Sequence, residues 1–363
     1  MAMQATDRTR LWYLRFSTIL WFLAGVVFLI SFPLVLQASP LILLGILVLA
    51  LILGAACAWL IAKLSGKSRF RHIWLKATVA IAFILTAITA SPIYYAAIIT
   101  QVSPAMVPQA TLTDGRKTIV FQGMQHVATE VFYKSVIYDL EDALSRGSVA
   151  YYEGFKPSTP ANDQWFQKLV TGGADLGNAY RELGEVCGLK FQSAYFGLLG
   201  RDALEHPTAH IVADVDTAQL RAEYDRLMRT DPAFAAAMRE RASAATSSSS
   251  DGFEKIVTFL RRGSEGQREI AGTLCRGFMT FSTRHSRNSG SVDEMNKLIL
   301  DYRNRVLAAA LLAEPRRRIN VTYGAEHLGG VMALLKKANP RWRVVSVKWT
   351  RTIDSPEKLT GTL

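Results

Sequence analysis

Thr118-Ile-Val-Phe-Gln-Gly-Met-Gln-His126 is the stretch of this chain that best predicts the fold of its larger part. It begins as a short apolar strand, turns sharply at Gly123, and reaches a histidine just before a helical pattern. Apolar positions recur with a helical period as far as Ser145, and Val149–Tyr152 then predicts a second strand that ends at Glu153. A strand, a helix and a second strand in this order are typical of an α/β domain.

The same order recurs near the C-terminus. Arg318–Tyr323 predicts a strand, Gly324-Ala-Glu-His327 follows it, a helix continues through Leu335, and Val344–Trp349 predicts the next strand. Together the two stretches predict an α/β domain over 118–350 with two pseudo-symmetric strand–Gly-x-x-His–helix–strand units. The sequence between the units predicts a mainly helical insert.

The first hundred residues predict a membrane anchor. Three runs contain no charged residue, namely Phe16–Gln37, Leu41–Ala62 and Ala77–Thr100. Each is longer than the roughly 20 residues that a helix needs to cross a bilayer. We therefore expect three transmembrane helices within 1–100, a linker over 101–117 and a short tail over 351–363.

The cations around these runs predict the orientation of the chain. Arg8, Arg10 and Arg15 precede the first run, and only basic charges, between Lys63 and Lys76, separate the second run from the third. Both groups lie on the same side of the helical hairpin, so the positive-inside rule places both in the cytoplasm. The third span then leads outward. The sequence thus predicts a multi-pass inner-membrane protein whose C-terminal domain is extracytoplasmic and whose first partner is the lipid bilayer.

The net charge of +12 is concentrated beside the predicted spans, so it indicates a membrane rather than nucleic acid as the partner.

Cys187 and Cys275 lie in the predicted external part. They can form a disulfide in an oxidising compartment, and two buried free thiols are an equally good interpretation. The sequence makes no prediction of an oligomeric state.

His126, Glu153 and His327 are the candidate site. Each residue follows a predicted strand, and ligands of α/β sheets bind beyond the carboxyl ends of the strands. A helix N-terminus favours the neutral imidazole that a metal ligand or general base requires. Two imidazoles and one carboxylate suit a catalytic divalent metal ion, with zinc, manganese and cobalt all acceptable. The alternative is that each histidine only makes a hydrogen bond in its turn.

These residues carry a resemblance to a known family. The stretches Val120–Glu153 and Tyr302–Trp349 resemble the TraB/TIKI family, which includes TraB-like and GumN-like proteins and lies near the ChaN and erythromycin-esterase-like folds. The shared pattern is a Gly-x-x-His after a strand, a glutamate closing the next strand, an Arg-Asn pair (Arg303, Asn304) in a late helix, and a second Gly-x-x-His before a leucine.

The resemblance implies a membrane-anchored, metal-dependent hydrolase, a peptidase that acts on a peptide or protein substrate. His126, Glu153 and His327 then correspond to the metal and catalytic residues of the family. Arg303 corresponds to an arginine that clamps a carboxylate or steadies an oxyanion, with a salt bridge on the helix surface as the alternative. Asp214 is predicted to serve a turn or a helix cap, with a place near the site as the alternative.

Two other functions remain compatible with the sequence. The first is a membrane receptor that sequesters a peptide signal without catalysis, a role that TraB-like proteins also suggest. The second is a metal-free hydrolase in which one histidine is the base, as the esterase-like relatives imply.

Overall fold

The computed structural model describes residues 2–65, 70–172, 175–245, 262–289 and 293–356. The chain forms two compact units. One unit comprises Met1–Ile98 with Leu260–Leu274, and the other comprises Ile99–Phe259 with Cys275–Leu363.

The first unit contains three long apolar helices: α1 (Ala2–Ala38), α2 (Pro40–Ser65) and α3 (Phe70–Val102). Their segments Thr9–Ala38, Pro40–Leu64 and Phe70–Val102 are long and apolar enough to cross a membrane. The expectation of three such helices is confirmed. Lys67 and Arg69 are two of the basic residues from which the sequence predicts the orientation of the chain. Both lie outside the described residues.

Small and aromatic side chains join these helices. The hydroxyl of Tyr94 on α3 donates to the carbonyl of Ile30 on α1 over 3.0 Å. The rings of Phe28 and Phe83 stack 4.4 Å apart, centroid to centroid. Gly54 on α2 faces Thr78 on α3 so closely that any side chain there would overlap it. Close approach at a small residue is the usual way in which membrane helices associate.

The second unit contains a six-stranded mixed sheet with the strand order β6-β4-β7-β2-β1-β8. Strands β6, β4, β7 and β2 run parallel, whereas β1 is antiparallel to both of its neighbours, β2 and β8. The bounds are β1 Met106–Thr113, β2 Thr118–Met124, β4 Val149–Tyr152, β6 His210–Val212, β7 Arg318–Gly324 and β8 Arg343–Arg351. The strands and the helical insert predicted for an α/β domain are therefore present.

Helices lie between the strands of this sheet along the chain. Their bounds are α4 Glu130–Ser145, α5 Pro160–Thr171, α6 Leu176–Cys187, α7 Ser193–Phe196, α8 Gly200–Glu205, α9 Thr217–Thr230, α10 Pro232–Ala245, α11 Glu265–Ser289, α12 Arg303–Ala313 and α13 His327–Ala338. A π-helical turn, Lys297–Tyr302, precedes α12, and a two-stranded sheet pairs β3 (Val127–Ala128) with β5 (Lys190–Phe191). The main core lies between the sheet and α12 and α13, where Leu307, Leu311, Val331 and Leu335 are fully buried.

Two sequence expectations are wrong in detail. The predicted linker 101–117 contains β1, whose Ala110 and Leu112 are buried in the main core. The predicted tail begins inside β8, and its residues Thr352 and Ile353 are buried, while 357–363 lie outside the described residues. Pro104 and Pro108 concealed β1 in the sequence, because proline is uncommon inside strands.

The second strands of the two predicted units occupy different places. After α4 the chain returns as β4, beside β7. After α13 it returns as β8, which lies at the far edge of the sheet beyond β1. The strands that precede the two histidines, β2 and β7, are direct neighbours.

A disulfide joins Cys187, the last residue of α6, to Cys275 in α11, with the two Cα atoms 5.1 Å apart. This resolves the alternatives that the sequence left open for the pair. The bond attaches α6, which belongs to the helical insert, to a helix far along the chain. Cys57 is free.

Candidate functional site

The carboxyl ends of three parallel strands bring the predicted site residues to one edge of the sheet. Met124 at the end of β2 pairs with Gly324 at the end of β7. Glu153 directly follows β4, and its backbone N–H donates to the Thr322 carbonyl of β7 over 3.0 Å. His126 comes two residues after β2, and His327 comes three residues after β7. The adjacent strands therefore place both imidazoles and Glu153 in the same region.

Arg303, the first residue of α12, lies between the acidic residues of this edge. Its Nε and Nη2 donate to Asp214 Oδ1 and Oδ2 over 2.9 and 2.5 Å. Its Nη2 also donates to Glu153 Oε1 over 2.7 Å. The arginine is buried, so the alternative of a surface salt bridge is wrong. The Asp214 side chain is fully buried in this bidentate pair, which places Asp214 at the site rather than in a simple turn or cap.

The burial and charge of this cluster determine its protonation. Burial is the largest single effect and raises the pKa of Glu153 and of Asp214, but Arg303 and the other groups around them together lower both pKa values below their ordinary range. Burial alone would lower the pKa of Arg303, whereas Asp214 and Glu153 raise it above its usual value. All three groups are therefore charged at neutral pH.

His327 is buried behind Glu153 and is held in one orientation. Its Nδ1 lies 2.8 Å from Asn304 Oδ1, an acceptor, so Nδ1 carries the hydrogen and donates it. Nε2 is then the basic nitrogen, and it lies 3.4 Å from Arg303 Nη1 and 3.8 Å from Glu153 Oε1. Burial, together with Arg303, lowers the pKa of His327 to about 4. The imidazole is therefore neutral at physiological pH.

The Asn304–His327 contact depends on Gly330 of α13. A Cβ at Gly330 would overlap the Asn304 amide, whereas a Cβ at Gly329 would meet no atom within 4 Å. We expect Gly330→Ala to displace Asn304 and to lower the free energy of unfolding by about 1–3 kcal/mol, the usual range for overpacking. Chemical denaturation measures this change. The matched control, Gly329→Ala, is expected to be neutral or to stabilise by up to ~1 kcal/mol through helix propensity; equal effects of the two variants would contradict the contact.

His126 lies closer to the solvent than His327 and contacts the helical insert. Its Nδ1 is 3.0 Å from Gln192 Nε2, and its ring lies against the ring of Tyr180 of α6, tilted by 30° with the centroids 4.7 Å apart. With the amide donating to Nδ1, the hydrogen of the neutral ring is on Nε2. Burial lowers the pKa of His126, with a smaller opposing effect of Glu153. Burial and the charge of Glu153 raise the pKa of the Tyr180 hydroxyl, which therefore stays protonated.

Asp214, Gln192 and Tyr180 are the residues of the site that sequence reasoning missed or misassigned. Gln192 and Tyr180 belong to the insert, where no motif distinguishes them from neighbouring polar and aromatic residues. For Asp214 the only signal was the strand-like alternation before it, which places a carboxylate beyond the end of β6.

A metal ion held by Glu153 would have to displace hydrogen bonds that this carboxylate already makes. Over the ranges that the structure describes, no group of three or more His, Cys, Asp or Glu side chains has the geometry to hold a metal. Glu153 Oε1 accepts from Arg303, and Glu153 Oε2 accepts from the Gly324 backbone N–H over 2.6 Å. The permanently charged guanidinium thus takes the position beside Glu153 and His327 that a cation would need.

The site has a buried layer and a partly exposed layer. Arg303, Asp214 and His327 are buried and make contacts that orient one another. Glu153 and His126 are only partly buried and form the accessible layer. Chemically this layer offers an ionised carboxylate next to an imidazole N–H and a protonated phenol. That combination can accept a proton and can also donate hydrogen bonds to a developing oxyanion.

Comparisons of the chain with protein-family models, with curated proteins and with solved structures found no match. The description of the fold and of the site therefore comes from the residues of this chain alone.

Proposed function

We propose that this protein is a membrane-anchored, extracytoplasmic hydrolase that cleaves peptide bonds, with Glu153 as the general base. The observation that carries the proposal is the partly exposed, ionised Glu153, whose two oxygens are oriented by Arg303 and by the Gly324 N–H. The resemblance to the TraB/TIKI family, including its two pseudo-symmetric Gly-x-x-His units, supports the same class of reaction.

In the proposed mechanism, Glu153 accepts a proton from a water molecule through a lone pair that its two hydrogen bonds leave free. The oxygen of that water forms a bond to the carbonyl carbon of the substrate. His126 Nε2–H and the Tyr180 hydroxyl donate hydrogen bonds to the carbonyl oxygen as it becomes negative. Glu153 then returns the proton to the leaving amine as the carbon–nitrogen bond breaks.

The buried layer keeps the base in place. Asp214 accepts hydrogen bonds from Nε and Nη2 of Arg303. The second N–H of Nη2 is then directed at Glu153. The ion pair keeps Glu153 ionised well below neutral pH, and it also makes the carboxylate a weaker base. We therefore expect slow turnover that persists into mildly acidic conditions.

Metal-dependent hydrolysis through His126, Glu153 and His327 is the second candidate. The observation that favours it is that both imidazoles have lowered pKa values and are neutral, the form that binds metals. It would require Glu153 to leave Arg303. Metal analysis of the purified full-length protein, with His126→Ala and His327→Ala as controls, decides between the candidates: a stoichiometric ion lost in both variants would support the metal-dependent reaction.

Glu153→Gln tests the proposed base. We expect it to lower hydrolysis of a mixture of fluorogenic peptides by about 100-fold, the lower end for loss of a general base. The amide keeps the size of the side chain and one acceptor, but it cannot take up the proton. The measurement is the initial rate for full-length protein in detergent, with a chelator present and absent.

The matched control is Glu314→Gln. Glu314 is also a buried carboxylate bound to an arginine, but it contacts Arg316 and Tyr151 and is not part of the proposed site. Its rate should match that of the unchanged protein. A Glu153→Gln variant that retains full activity would contradict the mechanism. Peptide binding without hydrolysis in the unchanged protein would instead support the receptor.

The thiols of the chain test the extracytoplasmic location. Because Cys187 and Cys275 are bridged and Cys57 is free, we expect one reactive thiol per denatured chain before reduction and all three after it. Disulfides persist in oxidising compartments, so the bridge supports a domain outside the cytoplasm. Thiol titration of protein trapped by alkylation at lysis measures this count. Three reactive thiols before reduction would place the domain in the cytoplasm.

A further inference from the structure

β8 forms one edge of the six-stranded sheet. It pairs with β1 on one side, and among the described residues no strand pairs with its other side. The strand is nine residues long, Arg343–Arg351. A long edge strand presents a row of N–H and C=O groups to which another extended segment can pair, and proteins usually cover or disrupt such edges.

The side chains of β8 make this edge apolar as well as open. Val345 and Trp349 are 59% and 54% exposed, and Val344 and Val347 are also exposed. Val344, Val347 and Trp349 lie opposite Leu112, Ala110 and Pro108 of β1, so they point to the face of the sheet that carries the main core. They form an exposed apolar strip at the edge of that face.

The charge of the edge has one sign. Arg341, Arg343 and Lys348 are exposed, and the segment 341–351 contains no acidic residue. Lys348 has a carboxylate, that of Asp139, 3.7 Å away, but its own side chain is 64% exposed. An extended segment with acidic side chains is therefore the complementary partner.

A cavity lies at the end of β8. It has a volume of about 900 Å³, and Thr350 and Arg351 of β8 form part of its wall. The first turn of α4 and the strand β5 form much of the rest, with Phe132, Leu189 and Phe191 as apolar surfaces. Its charged lining has both signs, with four cations (Lys134, Arg181, Lys190 and Arg351) and three carboxylates (Glu130, Glu185 and Asp354). A strand added beside β8 would end next to this space.

We propose that β8 binds an acidic peptide segment in extended conformation, as a seventh strand that ends next to this cavity. A second copy of this chain is the weaker occupant. Antiparallel pairing of two β8 strands about Val347 would place Arg343 of each copy opposite Arg351 of the other, and like charges in that position destabilise the pair. The proposed surface does not include Glu153, so the inference is independent of the hydrolytic function.

The test measures binding of two fluorescein-labelled peptides to the full-length protein in detergent by fluorescence anisotropy. The probe is acetyl-Glu-Val-Glu-Val-Thr-Val-Glu-amide, and the comparison peptide carries lysine at each glutamate. We expect the acidic peptide to bind and the lysine peptide not to. The double variant Arg343→Glu, Lys348→Glu should weaken binding about tenfold, because two exposed ion pairs are lost and replaced by repulsion.

Arg229→Glu, an exposed charge reversal on α9, is the matched control and should leave binding unchanged. Methylation of alternate backbone nitrogens of the peptide should abolish binding, because an added strand needs its N–H groups. Equal binding of both peptides, or an unchanged affinity of the β8 double variant, would overturn the proposal. So would a dimer in solution that the double variant alters, because it would assign the edge to a second copy. The same measurements on Glu153→Gln separate binding from hydrolysis.

Discussion

Replacing Arg303 by methionine is expected to lower the free energy of unfolding by about 3–5 kcal/mol, the cost of leaving buried carboxylates without their cation. Asp214 is completely buried and receives two hydrogen bonds from this guanidinium, and Glu153 receives a third. Methionine fills much of the same volume but offers neither charge nor donor. The buried Asp214 would keep the backbone N–H groups of Gly154 and Val215 but no cation.

Urea unfolding of the full-length protein in detergent, followed by tryptophan fluorescence, measures the loss. The double variant Arg303→Met, Asp214→Asn should recover part of it, because the amide removes the uncompensated charge. The single variant should also lose less stability at acidic pH, where the carboxylates protonate. A loss below about 1 kcal/mol, the size of an ordinary surface ion pair, would contradict the expected cost of leaving Asp214 without its cation. Arg229→Met provides the matched exposed control.

Acidification from pH 6.5 to 4 is expected to cost about 3 kcal/mol of stability through His327 alone. The pKa of His327 is lowered to about 4 in the folded protein, while the unfolded chain has an ordinary histidine value. Between these two values the unfolded chain binds a proton that the folded protein does not bind. The contribution of His327 is therefore fully present above pH 6.5 and is lost as the pH falls toward 4.

His327→Gln isolates this contribution, since glutamine does not titrate. We expect the difference in unfolding free energy between the unchanged protein and the variant to shrink steadily as the pH falls over this range. His206→Gln is the matched control, because the His206 side chain is 65% exposed and its replacement should leave the pH dependence unchanged. A pH-independent difference for His327→Gln would contradict the neutral, buried imidazole. Glu153 and Asp214 act at lower pH, because their pKa values are themselves lowered.

The sequence patterns predicted well the elements whose apolar side chains repeat at short intervals along the chain. The strand Val149–Tyr152 lies where the pattern places it, and the helix before it ends at the predicted Ser145. The uncharged runs predicted three helices long enough to cross a membrane. In each case neighbouring residues along the chain carry the information, through side chains that alternate or recur once per turn.

The site was predicted only in part. Gly-x-x-His and the glutamate after β4 could be located, because parallel strands end at a common edge. The partner of Arg303, the fully buried Asp214, could not be identified from its spacing, since it lies far along the chain in a different strand–helix connection. Gln192 and Tyr180 contact His126 because β5 of the insert pairs with β3, the strand that directly follows His126.

The amino-acid sequence by itself determined three helices long and apolar enough to cross a membrane, the α/β class of the second unit, and the two histidines and the glutamate at its strand ends. Tertiary structure alone decided that β1 lies within the sheet, that β8 is left at its edge, and that a guanidinium rather than a vacant position faces Glu153 and His327. The physical reason is range. Hydrophobic periodicity acts between residues one turn or one pleat apart, whereas the charge balance of a buried cluster depends on groups that only the complete fold brings within hydrogen-bonding distance.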